Sequence, residues 1–396
     1  MPKPREFLFG PWRAVPILGV TQILAWGALF YPPVLTIPLI AADRGWSLSF
    51  AMGGLSVGLL CAGLISPAVG RMIDRHGGHV VMTVGSVAGA AGLLALVSAA
   101  HPVSYLVAWM VIGAGMAASL YDSAFATLGR IFGSSARRPI TMLTFPGGLA
   151  STVSWPLTHL LLGAFGWRGA YLAYALLLAV VAAPLHAFAL PRSQAESHLR
   201  PPLPGAAMPT VVPARGLIFA LVIAGFAAYA FVPSGIAAHL LAILKRAGID
   251  PAVAVTIGAL FGPAQVTARL CEFTLAGNAH PLAIVRSALM LTVAAFVLLA
   301  VAGLATPAAA AFSIMFGLSN GLVTIARGTV PLALFGASGY GRLVGRIAGP
   351  FMVVQSVAPL VMAFVAERVS DKAALALAGS FALVALGCFL AVRRPS

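Results

Sequence analysis

The sequence predicts an all-helical membrane protein in which twelve transmembrane spans form two halves of six. Of its 396 residues, 60% are hydrophobic and only 8% are charged. These polar side chains are too few to cover the surface of a water-soluble protein of this length. The chain is therefore predicted to lie in a lipid bilayer. Apolar runs of about 20 residues, enough to cross roughly 30 Å of hydrocarbon, recur along the whole length. One polar segment, residues 192–215, interrupts them.

The predicted spans follow one another with short connections. The first span is long enough to tilt or bend, and Pro32, Pro33 and Pro38 favour a bend within it. The basic start of the chain lacks the small-residue cleavage pattern of a signal peptide, so no cleaved leader is expected. In chain order the predicted spans are residues 14–42, 46–70, 80–100, 102–129, 138–163, 168–190, 216–242, 251–277, 282–304, 306–331, 342–366 and 373–392.

The segment 192–215 is rich in proline and charge and has no helical periodicity, so it is predicted to be an extended cytoplasmic linker. It separates an N-terminal half, residues 1–191, from a C-terminal half, residues 216–396. The halves carry related patterns. Span 5 reads FPGGLASTVSWPL and span 11 reads GPFMVVQSVAPL, while SPAVGR in span 2 is similar to GPAQVTAR in span 8. Membrane proteins built from two repeats show this kind of internal similarity.

The basic residues are distributed unequally between the two sides of the membrane. If the N-terminus is inside, the outside loops hold six of the 24 Lys and Arg residues. By the positive-inside rule, both termini are predicted to be cytoplasmic, in a multi-pass protein of the inner (cytoplasmic) membrane. The same bias accounts for the net charge of +15, so no nucleic-acid binding is expected. The six outside residues are Arg44, Arg168, Lys245, Arg246, Arg368 and Lys372.

Enzyme signatures are missing from the sequence. It contains no phosphate-binding glycine loop with a lysine, no cluster of metal ligands and no nucleophile motif. Neither an enzyme nor an ATP-driven pump is therefore predicted, and neither a metal nor a cofactor is expected. Another class of protein to consider is a membrane sensor that transports nothing. Such a sensor would need a soluble signalling domain, and none is expected beyond the short linker.

Span 8 carries charge within the stretch GPAQVTARLCEF. Arg269 lies eight residues before Gly277, roughly 12 Å from the predicted cytoplasmic end of the span. A charge at this depth costs about 2.5 to 3.5 kcal/mol on insertion scales and usually faces a cavity or a partner. Gln265 and Glu272 share its helix face. Because a guanidinium can hold a carboxylate by two parallel hydrogen bonds, an anionic substrate is one interpretation of Arg269. The alternative is an ion pair with Glu272 that serves only a cytoplasmic gate.

Asp122 in span 4 is the second intramembrane charge. Burial disfavours the charged form of a lone carboxyl group, which makes Asp122 a candidate proton-coupling residue. A structural partner, such as Arg130 or Asn320, is an equal alternative. Asn320 is also a candidate for substrate binding, together with Gln22 and Tyr31 in span 1, which are predicted to line a cavity.

The connection between spans 2 and 3 reads GRMIDRHGGHVV, residues 70–81. Gly70 permits close approach of a neighbouring helix, Asp74 ends its helix where it can pair with a cation, and Gly77 supplies the turn. The stretch resembles the signature loop of the major facilitator superfamily, G-x-x-x-D-R-x-G. The resemblance implies the twelve-helix fold of that superfamily and assigns Gly70, Asp74, Arg75 and Gly77 to a cytoplasmic gate.

In that superfamily the loop helps to latch the cytoplasmic side while the protein faces outward. By this resemblance Asp74 would pair with a basic residue near span 4 or span 11, for which Arg130 and Arg346 are candidates. The alternative is a loop that only sets the topology. His79 stands where the superfamily often has Arg or Lys.

Within the superfamily, the sequence is most similar to the monocarboxylate transporter and oxalate-formate branch. The run from ADRGW to DRHGG resembles that branch's first three helices, and FGWRGAYL resembles its helix 5 to helix 6 junction. QVTAR fits the branch's carboxylate-binding position in helix 8, with Gln265 and Arg269, and the branch has a tyrosine near Tyr121. Drug-proton antiporters usually carry an arginine in helix 4 where this sequence has Trp109, which disfavours a multidrug antiporter.

The resemblance implies proton-linked transport of a small organic anion, a monocarboxylate, by alternating access of two halves. The expected partners are this substrate, protons and the lipid bilayer, and the protein is expected to be a monomer. The alternative is efflux of a drug-like or toxic inorganic anion by the same fold.

Overall fold

The computed structural model describes residues 10–192, 213–277 and 279–393. Every regular element in these ranges is helical. One short 3-10 helix, Pro11–Arg13, precedes the α-helices, and a second, Gly133–Ala136, follows the sixth of them. Two π-helical segments, Leu178–Ala182 and Leu185–Ala189, follow the eighth. In chain order the α-helices are α1 (Ala14–Leu29), α2 (Pro33–Arg44), α3 (Leu48–His76), α4 (Gly78–Ser98), α5 (Pro102–Ser119), α6 (Tyr121–Phe132), α7 (Arg137–Gly148), α8 (Ala150–Leu177), α9 (Pro213–Arg246), α10 (Pro251–Ala259), α11 (Phe261–Leu275), α12 (Pro281–Ala302), α13 (Thr306–Phe335), α14 (Tyr340–Arg368) and α15 (Asp371–Ala391).

The predicted all-helical membrane fold is confirmed. Ten stretches of the described ranges are long and apolar enough to cross a membrane. One of them, Pro102–Ala189, has 88 residues, which is about 130 Å of helix at 1.5 Å per residue and therefore several crossings. Three predicted spans, 102–129, 138–163 and 168–190, lie within it, so all twelve predicted spans fall on helices.

Three predicted spans of the N-terminal half are divided between two α-helices: the first between α1 and α2, the span 102–129 between α5 and α6, and the span 138–163 between α7 and α8. α1 ends at Leu29 and α2 begins at Pro33, so the first span is interrupted at its prolines, as predicted. The second break was not predicted: Leu120, between α5 and α6, has extended backbone with φ −84° and ψ −169°. Because of this break, Asp122 lies in the first turn of a new helix.

The chain forms two compact units. Unit 1 comprises Met1–Ala207 and Phe335–Gly349, and unit 2 comprises Met208–Leu334 and Pro350–Ser396. The start of α14 thus belongs to unit 1, whereas the predicted C-terminal half contains the whole helix. The predicted linker, apart from positions at its two ends, lies outside the described residues.

Small residues bring the start of α14 against α3 within unit 1. A Cβ atom added to Gly70 of α3 would collide with the backbone oxygen of Gly341, and one added to Gly345 of α14 would collide with that of Ser66. Any side chain at these positions would keep the two helices apart. This backbone contact is the reason why the first turns of α14 pack with unit 1.

In unit 2, α11 and α13 touch in the same way. A Cβ atom on Gly317 would lie 2.6 Å from the backbone oxygen of Phe261, and one on Gly321 would lie 2.5 Å from that of Gln265. Glycine at both positions therefore allows direct contact of the two helices. The contact brings Asn320 of α13 to within hydrogen-bond distance of Gln265 of α11.

Corresponding features recur in the two units at a constant spacing of 203 positions. The chain turns at Gly45 after α2 and at Gly248 after α9, and both glycines have positive φ, 66° and 87°. Two residues later, Ser47 and Asp250 accept hydrogen bonds from the first-turn N–H groups of α3 and α10.

Ion pairs follow the same spacing. Arg168 forms two hydrogen bonds with Asp43, at 3.2 and 2.8 Å, and Arg246 forms two with Asp371, at 2.8 and 2.6 Å. Each pair has a sequence separation of 125 residues, with the positions of acid and base exchanged. These pairs support the internal similarity predicted from spans 5 and 11. The similarity of SPAVGR to GPAQVTAR does not share this spacing.

Candidate functional site

Three predicted binding residues meet in unit 2. Arg269 of α11 is 3% exposed, and its Nη2 donates to Oε1 of Gln265, one turn earlier, at 3.2 Å. The same oxygen accepts from Nδ2 of Asn320 at 3.1 Å. The i, i+4 spacing that suggested Gln265 and Arg269 thus corresponds to a direct hydrogen bond, and Asn320 joins them from α13.

Tyr229 of α9 completes this cluster and was not predicted. Its side chain is 2% exposed, and its hydroxyl donates to Oδ1 of Asn320 at 3.0 Å. We refer to Tyr229, Gln265, Arg269 and Asn320 as the donor cluster. It joins three helices, α9, α11 and α13, through side chains alone.

The hydrogen bonds of the donor cluster have a fixed direction. A guanidinium can only donate, so Gln265 must turn its oxygen toward Arg269. Because that oxygen also accepts from Asn320, Asn320 presents its nitrogen to Gln265 and its oxygen to Tyr229. Both amide oxygens are therefore engaged inside the cluster. The remaining polar atoms of the two amides are N–H donors, which suit a ligand rich in acceptors.

Glu272 lies on the same helix, three residues after Arg269, and is also 3% exposed. Its burial beside Arg269 leaves both sequence interpretations in place. Arg269 can contact a substrate or pair with Glu272. Variants of Arg269 and of Glu272 are both needed to distinguish these two roles.

The three substrate-binding residues predicted in unit 1, Gln22, Tyr31 and Tyr121, lie around Trp26 of α1. Nε1 of Trp26 donates to Oε1 of Gln22 at 3.1 Å, and Nε2 of Gln22 donates to the backbone oxygen of Ser119 at 2.7 Å. The Trp26 ring centroid lies 5.3 Å from that of Tyr121 and 6.0 Å from that of Tyr31. Gln22 is fully buried and links α1 to α5, whereas Tyr31 is partly exposed.

Asp122 is 6% exposed and, together with Ser66, Gly70 and Gly341, lines a small cavity in unit 1. It lies in the first turn of α6. The N-terminus of a helix favours negative charge, which offsets part of the cost of burying a carboxylate. The proton-coupling role of Asp122 stays a prediction.

Asp74 lies in the last turn of α3, which continues past the predicted end of its span, and it caps the start of α14. Its Oδ1 accepts from the backbone N–H of Gly341 at 2.9 Å, and its Oδ2 accepts from that of Arg342 at 2.7 Å. Both of these hydrogen bonds come from backbone N–H groups, and the pairing of Asp74 with Arg130 or Arg346 stays a prediction. The N–H groups of a first helical turn have no partner within their helix, so they supply both hydrogen bonds and a favourable dipole.

Unit 1 also holds the predicted gate residues Arg75, Gly77, Arg130 and Arg346. Arg75 is exposed in the last turn of α3, and Gly77 forms the following turn with φ 84°, a conformation that favours glycine. Arg130 lies in the last turn of α6, and Arg346 is exposed on α14. Their role in gating stays a prediction.

Trp26 and Tyr229 are the two site residues that the sequence did not reveal by pattern. They lie 203 positions apart, on α1 and α9, and each donates a hydrogen bond to the side-chain oxygen of an amide. The constant spacing of the two repeats, visible in Gly45 and Gly248, is the signal that would have paired them.

Comparison with known proteins identifies the family. The sequence matches the Major Facilitator Superfamily over residues 17–345. The chain therefore belongs to this superfamily of membrane transporters. No curated protein matches the sequence.

Solved structures of this superfamily share the fold. The human organic anion transporter MFSD10 (TETRAN) matches with a TM-score of 0.74 and 17% identity, over 96% of this chain and 99% of that chain. FucP in its outward conformation matches with a TM-score of 0.76 and 12% identity, over 96% of this chain and 99% of that chain. The proton:xylose symporter XylE, bound to 6-bromo-6-deoxy-D-glucose, matches with a TM-score of 0.73 and 13% identity, over 96% of each chain. At these identities the likeness shows the fold alone.

Proposed function

We propose that this transporter moves a small organic anion, a monocarboxylate, across the cytoplasmic membrane by alternating access coupled to protons. The observation that carries the proposal is the direction of the hydrogen bonds in the donor cluster. The side-chain oxygen of Gln265 accepts from Arg269 and Asn320, and that of Asn320 accepts from Tyr229, so the two amides leave N–H donors beside a buried guanidinium.

A carboxylate matches this arrangement in charge and in hydrogen bonding. It brings acceptor oxygens and negative charge, and Arg269 can receive it with two parallel, charge-assisted hydrogen bonds. A sugar hydroxyl both donates and accepts, so a neutral sugar gains nothing specific from a surface of donors. The structural neighbours carry organic anions in one case and sugars in another, so the substrate class rests on the donor cluster and the sequence resemblance to the monocarboxylate branch.

Thermal-shift measurements on the purified protein test this proposal. Small monocarboxylates should raise the melting temperature, because a ligand that binds only the folded state stabilises it, whereas their uncharged amides should not. Arg269→Lys keeps the charge but loses the planar fork, so it should weaken the carboxylate response. Equal stabilisation by acids and amides would contradict the proposal. Normal binding by both Arg269→Lys and Arg269→Ala, with transport lost in Glu272→Gln, would favour the gate pair.

Asp122→Asn should separate proton coupling from substrate binding. The amide cannot exchange a proton, yet asparagine keeps the size of the side chain and is accepted at a helix N-terminus. In reconstituted vesicles we expect substrate counterflow to persist, while uptake driven by an imposed pH difference is lost. Unchanged pH-driven uptake would remove Asp122 from the coupling mechanism, and loss of both activities would indicate a structural role.

A further inference from the structure

A basic cavity opens at the end of α3 in unit 1. Its volume is about 460 Å³, within the range of small-ligand sites. Three guanidinium groups line it. Arg71 and Arg75 come from the last turns of α3, and Arg342 comes from the first turn of α14. All three are exposed.

The single acid in the lining, Asp74, can compensate at most one of these three charges. Asp74 directs both carboxylate oxygens at the backbone N–H groups of Gly341 and Arg342. Within the described ranges, none of the three arginines forms an ion pair. With three guanidinium groups against one carboxylate, the cavity keeps an excess of positive charge. Since Asp74 already occupies the N-terminus of α14, an anion would bind the arginines rather than the helix end.

One wall of the same cavity is apolar. Ala68 and Met72 of α3 line it, and Met72 is 44% exposed. From Ala68 to His76, which also lines the cavity, the helix rises about 12 Å, so the cavity extends from the apolar part of a membrane span to its polar end. A soluble anion needs no such wall. A phospholipid carries a phosphate at the end of apolar acyl chains. Its phosphate would meet the arginines and its acyl chains would meet the apolar wall.

We propose that this cavity binds the phosphate of an anionic phospholipid, with Arg71, Arg75 and Arg342 around the phosphate and Met72 against the acyl chains. Arginine suits phosphate oxygens because its planar fork can donate two hydrogen bonds at once. By the predicted orientation, this end of α3 faces the cytoplasmic leaflet, where basic pockets between helices bind anionic headgroups. The site is independent of the transported substrate.

Lipid binding to the full-length protein tests the proposal. The protein, purified in detergent, is supplemented with phosphatidylcholine alone or with added phosphatidylglycerol, and its melting temperature and bound lipids are measured, the latter by native mass spectrometry. Phosphatidylglycerol should bind and stabilise, and phosphatidylcholine should not. In Arg71→Gln/Arg75→Gln/Arg342→Gln the apparent affinity for phosphatidylglycerol should fall about a hundredfold, at roughly fivefold per arginine.

Arg393→Gln is the matched control, because Arg393 is an exposed arginine outside the cavity; it should keep the wild-type response. If the triple variant does not fold, each single variant should still show its own partial loss. Retention of phosphatidylglycerol binding in the arginine variants, or equal loss in Arg393→Gln, would overturn the site. Inorganic phosphate or glycerol phosphate, added without lipid, should give no arginine-dependent shift. Such a shift would overturn the lipid as the source of the phosphate.

Discussion

Gln265→Glu is expected to abolish binding of the anionic substrate while the protein stays folded. Glutamate keeps the length of the side chain and an oxygen that can accept from Arg269 and Asn320, so the contacts at 3.2 and 3.1 Å can persist. The change replaces a donor by a negative charge at the binding surface. A second charge about 4 Å from a bound carboxylate costs about 4 kcal/mol at an effective dielectric constant of 20. We therefore expect a dissociation constant raised roughly 100- to 1,000-fold.

Gln265→Met separates charge from hydrogen bonding in this experiment. Methionine has a similar length, but its thioether is only a weak acceptor and carries no charge. It should weaken carboxylate binding less than glutamate does. Binding is measured by titration calorimetry or by thermal shift, with the melting temperature of the free protein as the control for folding. Carboxylate affinities that agree within threefold in Gln265→Glu and the wild type would exclude Gln265 from the anion site.

Helix spacing explains how much of this site could be predicted. The hydrogen bond between Gln265 and Arg269 follows from their i, i+4 positions on one helix, which the sequence displays directly. The hydrogen bond between Asn320 and Gln265 does not follow from helix spacing. It depends on backbone contact at Gly317 and Gly321 between helices that are remote in sequence. Many glycines in this chain sit in apolar spans, and their spacing alone does not say which partner helix they meet.

The partner of Asp74 could not be predicted for a different reason. Charge complementarity suggested side chains, Arg130 or Arg346, whereas the observed partners are backbone N–H groups 267 and 268 residues away. Unsatisfied N–H groups exist at the start of every helix and carry no residue-specific signal. The twelve spans, by contrast, were predictable throughout, since a membrane span needs only sustained apolar composition over a length set by the bilayer.

The cap of Asp74 depends on the glycine that stands one helical turn before it. Gly70 lies four residues earlier on α3, where its lack of a side chain allows the backbone of α14 to approach at Gly341. The closeness of the two helices and the two hydrogen bonds of Asp74 are therefore one structural feature. A variant that separates the helices should also break the hydrogen bonds.

Gly70→Ala is expected to destabilise the protein and to expose the start of α14. The added methyl group would collide with the backbone oxygen of Gly341, which cannot rotate away as a side chain can. Overpacking of this kind costs about 1 to 3 kcal/mol, even though alanine favours the helix itself by roughly 1 kcal/mol over glycine. The melting temperature in detergent should fall, and hydrogen exchange at the amides of Gly341 and Arg342 should become faster, because Asp74 can no longer reach them. Gly53→Ala is the matched control on the same helix: an added Cβ there meets nothing within 4 Å, so stability should be unchanged or slightly raised. If Gly70→Ala instead melts at the same temperature as Gly53→Ala and keeps both amides protected, then the two helices accept the added methyl group without separating, and close packing at this position does not hold the cap in place.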